Sequence, residues 1–383
     1  MARSLGPVLP ATAVGLLPFA VFATFLVPIA EGTGVDVAAV GALRGLGGLA
    51  AVMVGGVLAP LLDRLPRHHV TAAGLTLLAV ATVAAAVGRF STVVVFCVLM
   101  GVAMSVLNPA LAAGAADRFD DDARAVRAAT LVTATQSLTA MLGAPLVVLP
   151  SLLWGWRGSL VAVAVVAVAL ALAFGQRRGS TARASGERIG YLQTWRTLCG
   201  VPGAAVLLMV TLLRTAAFMG YLAYLAAFYA QRFALSPGQF AFVWTLSGAS
   251  FFLGNLVGGR VAVAGGRRTE PERLLVLSLM VGVPALAGIY MTSALGWALA
   301  ATAVLGASHA VAAACLTTLL VARAGRVRGS ALGVSAATGS LGVFVGSAVG
   351  GGGLAVAGWS GVAVALGLLA VGSVLLALRL GSV

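Results

Sequence analysis

The sequence predicts an all-α integral membrane protein of twelve transmembrane helices in two six-helix pseudo-repeats. Composition, the spacing of the apolar runs and the placement of the arginines all point there. Of 383 residues, 61% are apolar and 9% charged, with a mean hydropathy of +1.07. Soluble domains are about 45–50% apolar and about 25% charged, so no water-facing fold can hide this much apolar surface. A spanning helix needs about 20 apolar residues. Polar breaks divide the chain into runs at roughly 8–30, 37–60, 70–88, 92–115, 128–150, 158–176, 201–229, 238–262, 273–292, 296–321, 329–351 and 360–379. The first run is too long for a signal peptide and lacks a small-residue cleavage site. Fifty glycines suit membrane helices, in which Gly is commoner than in soluble ones.

A net charge of +14 on a soluble chain would point to nucleic acid. Here all 24 basic residues are arginines, scattered in small groups between apolar runs. The partner they imply is the lipid bilayer, and no nucleic acid is expected. With the N-terminus in the cytoplasm, 19 arginines fall on the cytoplasmic side and only Arg89, Arg157 and Arg232 outside. That split is a positive-inside pattern. An even number of spans returns the C-terminus to the cytoplasm, so the expected location is the inner cell membrane with both termini cytoplasmic. Five of the six tryptophans (Trp154, Trp156, Trp195, Trp297 and Trp359) lie at span ends, as an interfacial belt requires. Cys97, Cys199 and Cys315 are dispersed without metal-ligand spacing, which argues against a disulfide framework or a metal site.

The longest polar stretch lies mid-chain. It divides an N-terminal six-helix half, 1–176, from a C-terminal half, 201–383, through a cytoplasmic linker at 177–200. The halves match each other in register. Asp63-Arg64-Leu65-Pro66-Arg67-His68 faces Val263-Ala264-Gly265-Gly266-Arg267-Arg268 at an offset of 200. Val126-Arg127 opening span 5 faces Val327-Arg328 opening span 11 at 201, and Gly155-Trp156-Arg157 faces Gly358-Trp359-Ser360 at 203. Three short matches in order, at equivalent topological positions, indicate a duplicated unit. Two repeats of one membrane orientation are the arrangement of alternating-access carriers, with a site near the midplane between them.

These segments make the chain resemble the major facilitator superfamily. The family's signature after span 2 is a Gly, three residues, Asp-Arg, then a Gly followed by basic residues. Ala59-Pro60-Leu61-Leu62-Asp63-Arg64-Leu65-Pro66-Arg67-His68 keeps the Asp-Arg and the later Arg but neither glycine. Its counterpart, Gly258-Gly259-Arg260-Val261-Ala262-Val263-Ala264-Gly265-Gly266-Arg267-Arg268, keeps the glycines and basic pair but not the Asp. Gly143-Ala144-Pro145 in span 5 resembles the Gly-Pro signature of the twelve-helix drug–proton antiporter branch, and Gly155-Trp156-Arg157 is common in that branch. The resemblance implies multidrug efflux by antiport, and a conformational latch built from Asp63, Arg64, Arg67, Arg267 and Arg268.

All ten carboxylates lie at span ends or in loops. Proton-driven carriers commonly embed a carboxylate as relay, and this chain has none at a midplane position. The embedded ionisable groups are basic instead. Arg214 lies about 20 Å into span 7, counted at 1.5 Å per residue. An Arg there costs about 2.5–3.5 kcal/mol on insertion scales and by default faces a cavity or a partner. His309 is equally deep in span 10, and its ordinary pKa near 6.5 suits it to carry a proton. It is expected to be the proton-coupling group, helped by the outer carboxylate Asp36. Arg44, two turns below the outer end of span 2, reads as a gate or structural residue within reach of Asp36. Phe218, Tyr221 and Tyr224 follow Arg214 on roughly one helical face. With Trp244 in span 8, Gln136 in span 5 and Asn108 in span 4, they complete the expected substrate pocket.

The expected function is therefore secondary transport of small amphipathic molecules by alternating access, in the export direction and coupled to protons. An anion-preferring carrier or facilitator without proton coupling is the alternative, because the embedded charges are positive. A non-transporting membrane receptor explains neither the repeat nor Arg214. No Gly-rich run ends in Gly-Lys-Ser/Thr, so a nucleotide-driven pump is not expected. An intramembrane enzyme needs clustered His and carboxylates that the sequence does not supply. No cofactor is expected, and the working unit is expected to be a monomer.

Overall fold

The computed structural model describes residues 5–62, 65–119, 121–176, 200–264, 269–324 and 328–382. Secondary structure in these segments is helical throughout. In chain order the helices are α1 (Val8–Thr24), α2 (Leu26–Thr33), α3 (Val37–Leu62), α4 (Arg67–Ala86), α5 (Phe90–Ala116) and α6 (Asp122–Gly175). They continue as α7 (Ala204–Phe233), α8 (Pro237–Ala264), α9 (Thr269–Met291), α10 (Leu295–Ala324) and α11 (Arg328–Leu378), closed by a 3₁₀ turn at Arg379–Ser382. Two compact units form. The first holds α1 to α6 with Ser236–Phe242; the second holds α7, the rest of α8 from Val243, and α9 to α11.

Among the described residues, nine helices are long and apolar enough to cross a membrane. Two of them are double. The apolar part of α6, Thr130–Gly175, is 46 residues, about 70 Å at 1.5 Å per residue, against a hydrocarbon core of about 30 Å. It is broken at Gly155, at φ 64° and ψ −173°. The two arms fold back on each other there, because Ser159 Oγ donates to the Val147 carbonyl at 2.7 Å. Twelve residues of straight helix would hold those groups about 18 Å apart.

The 48-residue apolar part of α11 breaks the same way, at Ala357 (φ −141°, ψ 26°) and Gly358 (φ 58°, ψ −146°). Its arms meet at Gly353 and Gly361, so closely that a Cβ on Gly353 would lie 2.6 Å from the Gly361 carbonyl oxygen. The glycines that match in the sequence repeat therefore make the same backbone excursion, which side chains of L-residues rarely adopt. Each double helix supplies two spans.

Span 1 is also divided. The sequence predicts one helix over 8–30; the structure bends by 68° between α1 and α2. The bend sits at Phe25, at φ −105° and ψ 26°. Pro28 has no N–H to donate to the Thr24 carbonyl, so the helical ladder fails there. With the bent pair counted as one span, the described helices make twelve crossings.

Small residues bring equivalent helices together within each unit. In the first, Gly47 of α3 packs on α5, where a Cβ would meet the Cys97 carbonyl oxygen at 2.8 Å. In the second, Gly254 of α8 packs on Ala307 of α10, and Gly306 on Ser247, with hypothetical Cβ contacts of 2.5 and 2.9 Å to backbone oxygens. A third seam joins α7 to α11. Gly342, Gly346 and Gly350 recur every four residues on α11, against Leu212, Ala216 and Tyr224 of α7. Helices in lipid associate by such close approach rather than by hydrophobic burial. The seam fixes α7, and α7 carries Arg214.

Candidate functional site

The best-defined polar site lies inside the second unit. Arg214 of α7 reaches across to His309 of α10. Its Nη1 is 2.6 Å from His309 Nε2 and 3.0 Å from Nδ1. The same nitrogen donates to the His309 carbonyl oxygen at 3.1 Å, while Nη2 donates to Thr215 Oγ1 at 3.3 Å. A guanidinium only donates. One nitrogen this close to both ring nitrogens lies against the imidazole as a whole rather than in line with either lone pair.

Arg214 Nε is buried without a hydrogen-bond partner among the described residues. None of the ion pairs formed by described carboxylates involves Arg214. Among the described residues, then, its contacts are a histidine and a threonine, and no carboxylate offsets its charge.

Aromatic rings hold the histidine. Phe218, one turn after Arg214, stacks on the imidazole at 3.7 Å between centroids and 13° between planes. Phe251 of α8 lies 6.0 Å away on the His309 side and 6.1 Å from Phe218. His309 is 7% exposed. Its orientation is set by a ring face and an arginine together.

Beside the pair is a cavity of about 30 Å³, lined by Arg214, Phe218, His309 and the hydroxyl side chains Ser278, Ser308 and Ser373. A void needs about 10–15 Å³ to hold one water, so this one admits about two water-sized atoms. Drug-sized ligands occupy about 300–1,000 Å³. The space fits the head of a molecule, not the whole. Ser278, Ser308 and Ser373 each donate to a carbonyl of their own helix, at 2.8, 3.0 and 2.7 Å. Their oxygens remain open to accept.

Tyr221 continues the face of α7. Its ring is 5.9 Å from Phe218, and its hydroxyl donates to Thr302 Oγ1 of α10 at 3.2 Å. Tyr229 shares the same threonine at 2.9 Å. Tyr224, by contrast, turns to α11 and donates to the Ser347 carbonyl at 2.9 Å. Ten residues at 3.6 per turn place it about 80° from Arg214, so it leaves the face that Phe218 and Tyr221 share with Arg214.

The other sequence-predicted residues do not line this cavity. Trp244 is buried on α8 but does not line the cavity. Gln136 and Asn108 belong to the first unit and bond each other, Gln136 Nε2 donating to Asn108 Oδ1 at 3.2 Å. Asp36 is an exposed helix cap, its Oδ1 accepting from the Ala38 N–H at 3.3 Å ahead of α3. Arg44 is buried with its guanidinium 3.7 Å over the Phe19 ring. Gly143 and Pro145 lie within the first arm of α6.

Of the latch residues, Asp63, Arg64, Arg267 and Arg268 lie outside the described residues. Arg67 begins α4 and pairs with Asp117 beyond the end of α5, Nε to Oδ2 at 3.6 Å. The second unit has a counterpart that sequence reading missed: Arg323 at the end of α10 donates to Glu272 at the start of α9 at 2.5 Å. Phe251 and the three cavity serines were also missed. Their spans carry many similar residues, and no sequence signal says which helix face turns inward.

Two compact units built of membrane-length helices, with a polar site buried inside one of them, are the architecture of a membrane carrier. The Major Facilitator Superfamily model matches residues 8–334, and the chain belongs to that superfamily. No curated protein matches it in sequence. Its fold is similar to that of a bacterial homologue of the human lysosomal transporter Spinster in an inward-facing, occupied conformation. That likeness has a TM-score of 0.76 and 15% identity over 98% of this chain and 94% of that one. The nucleoside transporter NupG gives 0.77 at 16%, over 98% and 99%. The human organic anion transporter MFSD10 (TETRAN) gives 0.62 at 18%, over 98% and 99%. The protein is a transporter rather than an enzyme.

Proposed function

We propose that this chain is a secondary carrier that moves small amphipathic molecules across the inner cell membrane by alternating access, binding an anionic group of its cargo at Arg214. The observation that carries this reading is a guanidinium buried among helices, with no carboxylate partner and one unused donor, Nε, among the described residues. Such a charge in a membrane bundle marks a substrate or ion contact by default. The apolar walls that Phe218, Leu279, Leu286 and Leu305 add to the cavity suit the amphipathic part next to the head group.

Export of a drug-like cargo against protons is what the resemblance to drug–proton antiporters implies; the anion site itself leaves the sense of proton coupling open. In that reading His309 is the relay, and the ion pair of Arg67 helps to latch one conformation. The arginine asymmetry supports cytoplasmic termini.

The test is exchange in proteoliposomes with cationic, neutral and anionic amphipaths of matched size. Anions are expected to exchange fastest, and Arg214→Ala to abolish that exchange while folded yield holds. Equal exchange of cations, or normal transport by Arg214→Ala, overturns the proposal.

A further inference from the structure

We infer that Arg214 and His309 together form a joint site for one proton and one compact anionic group, so that the two cross the membrane in the same direction. This rests on the anion reading above and adds its coupling.

Nη1 of Arg214 lies 2.6 Å from His309 Nε2 and 3.0 Å from Nδ1, against the ring as a whole. A proton on His309 sets a second positive charge within 3.0 Å of the first. In a low-dielectric interior that repulsion is large. The groups facing His309 do nothing to offset it. Helix α7 presents Arg214 and Phe218, α8 presents Phe251, α9 presents Ser278, α11 presents Ser373, and α10 itself adds Ser308. Among the described residues, Arg214 is the only charged group acting on the imidazole.

A proton therefore needs a negative charge beside it. The cavity admits about two water-sized atoms next to both side chains. A halide or the two oxygens of a carboxylate fit that description, and a sulfonate presents two of its three oxygens to it. Once there, the anion draws on the Nη1 and Nε donors of Arg214. The imidazolium N–H becomes a further donor to it. Anion and proton each raise the site's affinity for the other, as linkage requires. The net charge loaded is zero. An antiport site needs the opposite sign, with proton and cargo excluding each other.

The experiment uses the full-length protein in proteoliposomes with trapped pyranine to report internal pH and the potential clamped with potassium and valinomycin. The probes are 1-naphthalenesulfonate, which stays anionic and crosses lipid poorly, and chloride read by an internal indicator. With the outside acidic by about one pH unit, one proton per anion supports about tenfold accumulation. The inference expects the probe to accumulate and the lumen to acidify beyond empty vesicles, with no dependence on the clamped potential. Accumulation of 1-naphthalenesulfonate assigns the anionic head to the cargo. Accumulation of chloride alone assigns it to a free inorganic anion.

Luminal alkalinisation as probe enters, or probe exchange in the wild type that ignores the pH gradient, overturns the joint site and leaves the anion reading standing. Absence of exchange of every anion overturns that reading as well. In His309→Gln, any remaining exchange is expected to have lost its response to pH. Wild-type pH-driven accumulation in that variant overturns the inference.

Discussion

The two units answer the same structural demands with different polar chemistry. At one end of the first, α4 and α5 are joined by Arg67 and Asp117 at 3.6 Å, side chains 25% and 53% exposed. In the second, the matching helices α9 and α10 are joined by Glu272 and Arg323 at 2.5 Å, both 23% exposed. The polarity is reversed, the acid sitting on the earlier helix of the second pair, and the contact is shorter and drier. Deeper in, the first unit pairs two neutral amides, Asn108 and Gln136, while the second pairs a cation with an imidazole. An amide pair satisfies itself. Arg214 and His309 leave one donor and a net charge over. The duplicated scaffold is alike in both; the buried cation of the first unit, Arg44, lies over the Phe19 ring, while Arg214 of the second faces an imidazole and a cavity.

The largest effect expected from this contrast is on transport. Arg214→Ala should remove anion exchange altogether, whereas Gln136→Leu should cost about 0.6 kcal/mol of stability, the usual worth of an interhelical hydrogen bond in a membrane, and leave exchange measurable. Equal loss in both variants would mean that the amide pair belongs to the transport site too. Parallel proteoliposome assays and thermal unfolding in detergent decide it.

Next come the glycine breaks, where the units should behave alike. Neither Gly155 nor Gly358 has an atom within 4 Å of where a Cβ would lie, so Gly→Ala tests the backbone alone. Each substitution should destabilise by about 1–3 kcal/mol, the cost of holding an L-residue in that region. Thermal unfolding of the two variants should shift by similar amounts. A large difference would show that the breaks are held by other contacts. The neighbours differ: Trp359 donates Nε1 to Gln231 at 3.1 Å, while Trp156 lies under the Arg157 guanidinium at 5.3 Å.

The smallest effect separates the end pairs. Glu272→Gln should lower stability by about 1–2 kcal/mol, as for a hydrogen bond between charged groups. Asp117→Asn should cost less than about 0.5 kcal/mol, as for an exposed pair. Raising ionic strength should narrow the second effect further and hardly touch the first. Equal shifts in detergent melts would erase the distinction drawn between the units.

Much of this was legible in the chain. Arg214 and Phe218 stand one turn apart, and that spacing predicted a shared face before any partner was known. His309 was singled out because so few ionisable groups are embedded at all. What spacing along one helix does not encode is azimuth relative to another. Tyr224 stands about 60° round α7 from Tyr221, and it bonds to α11, where Gly350 of the glycine seam packs on its ring. The Glu272–Arg323 pair was hidden among the arginines and carboxylates at span ends, any of which was within sequence reach.

The sequence alone determined that the chain spans a membrane, how many times, and where it doubles. Hydrocarbon admits only long apolar segments whose backbone bonds are internal, and positive φ at a break selects glycine. Tertiary structure alone decided that Arg214 meets His309, that Phe218 and Phe251 clamp the ring, and that serines from three helices face the same small cavity. Those contacts join residues nearly a hundred positions apart, and they depend on how closely small side chains let α7, α10 and α11 approach. That approach is a property of packed pairs, to which no single helix holds the key.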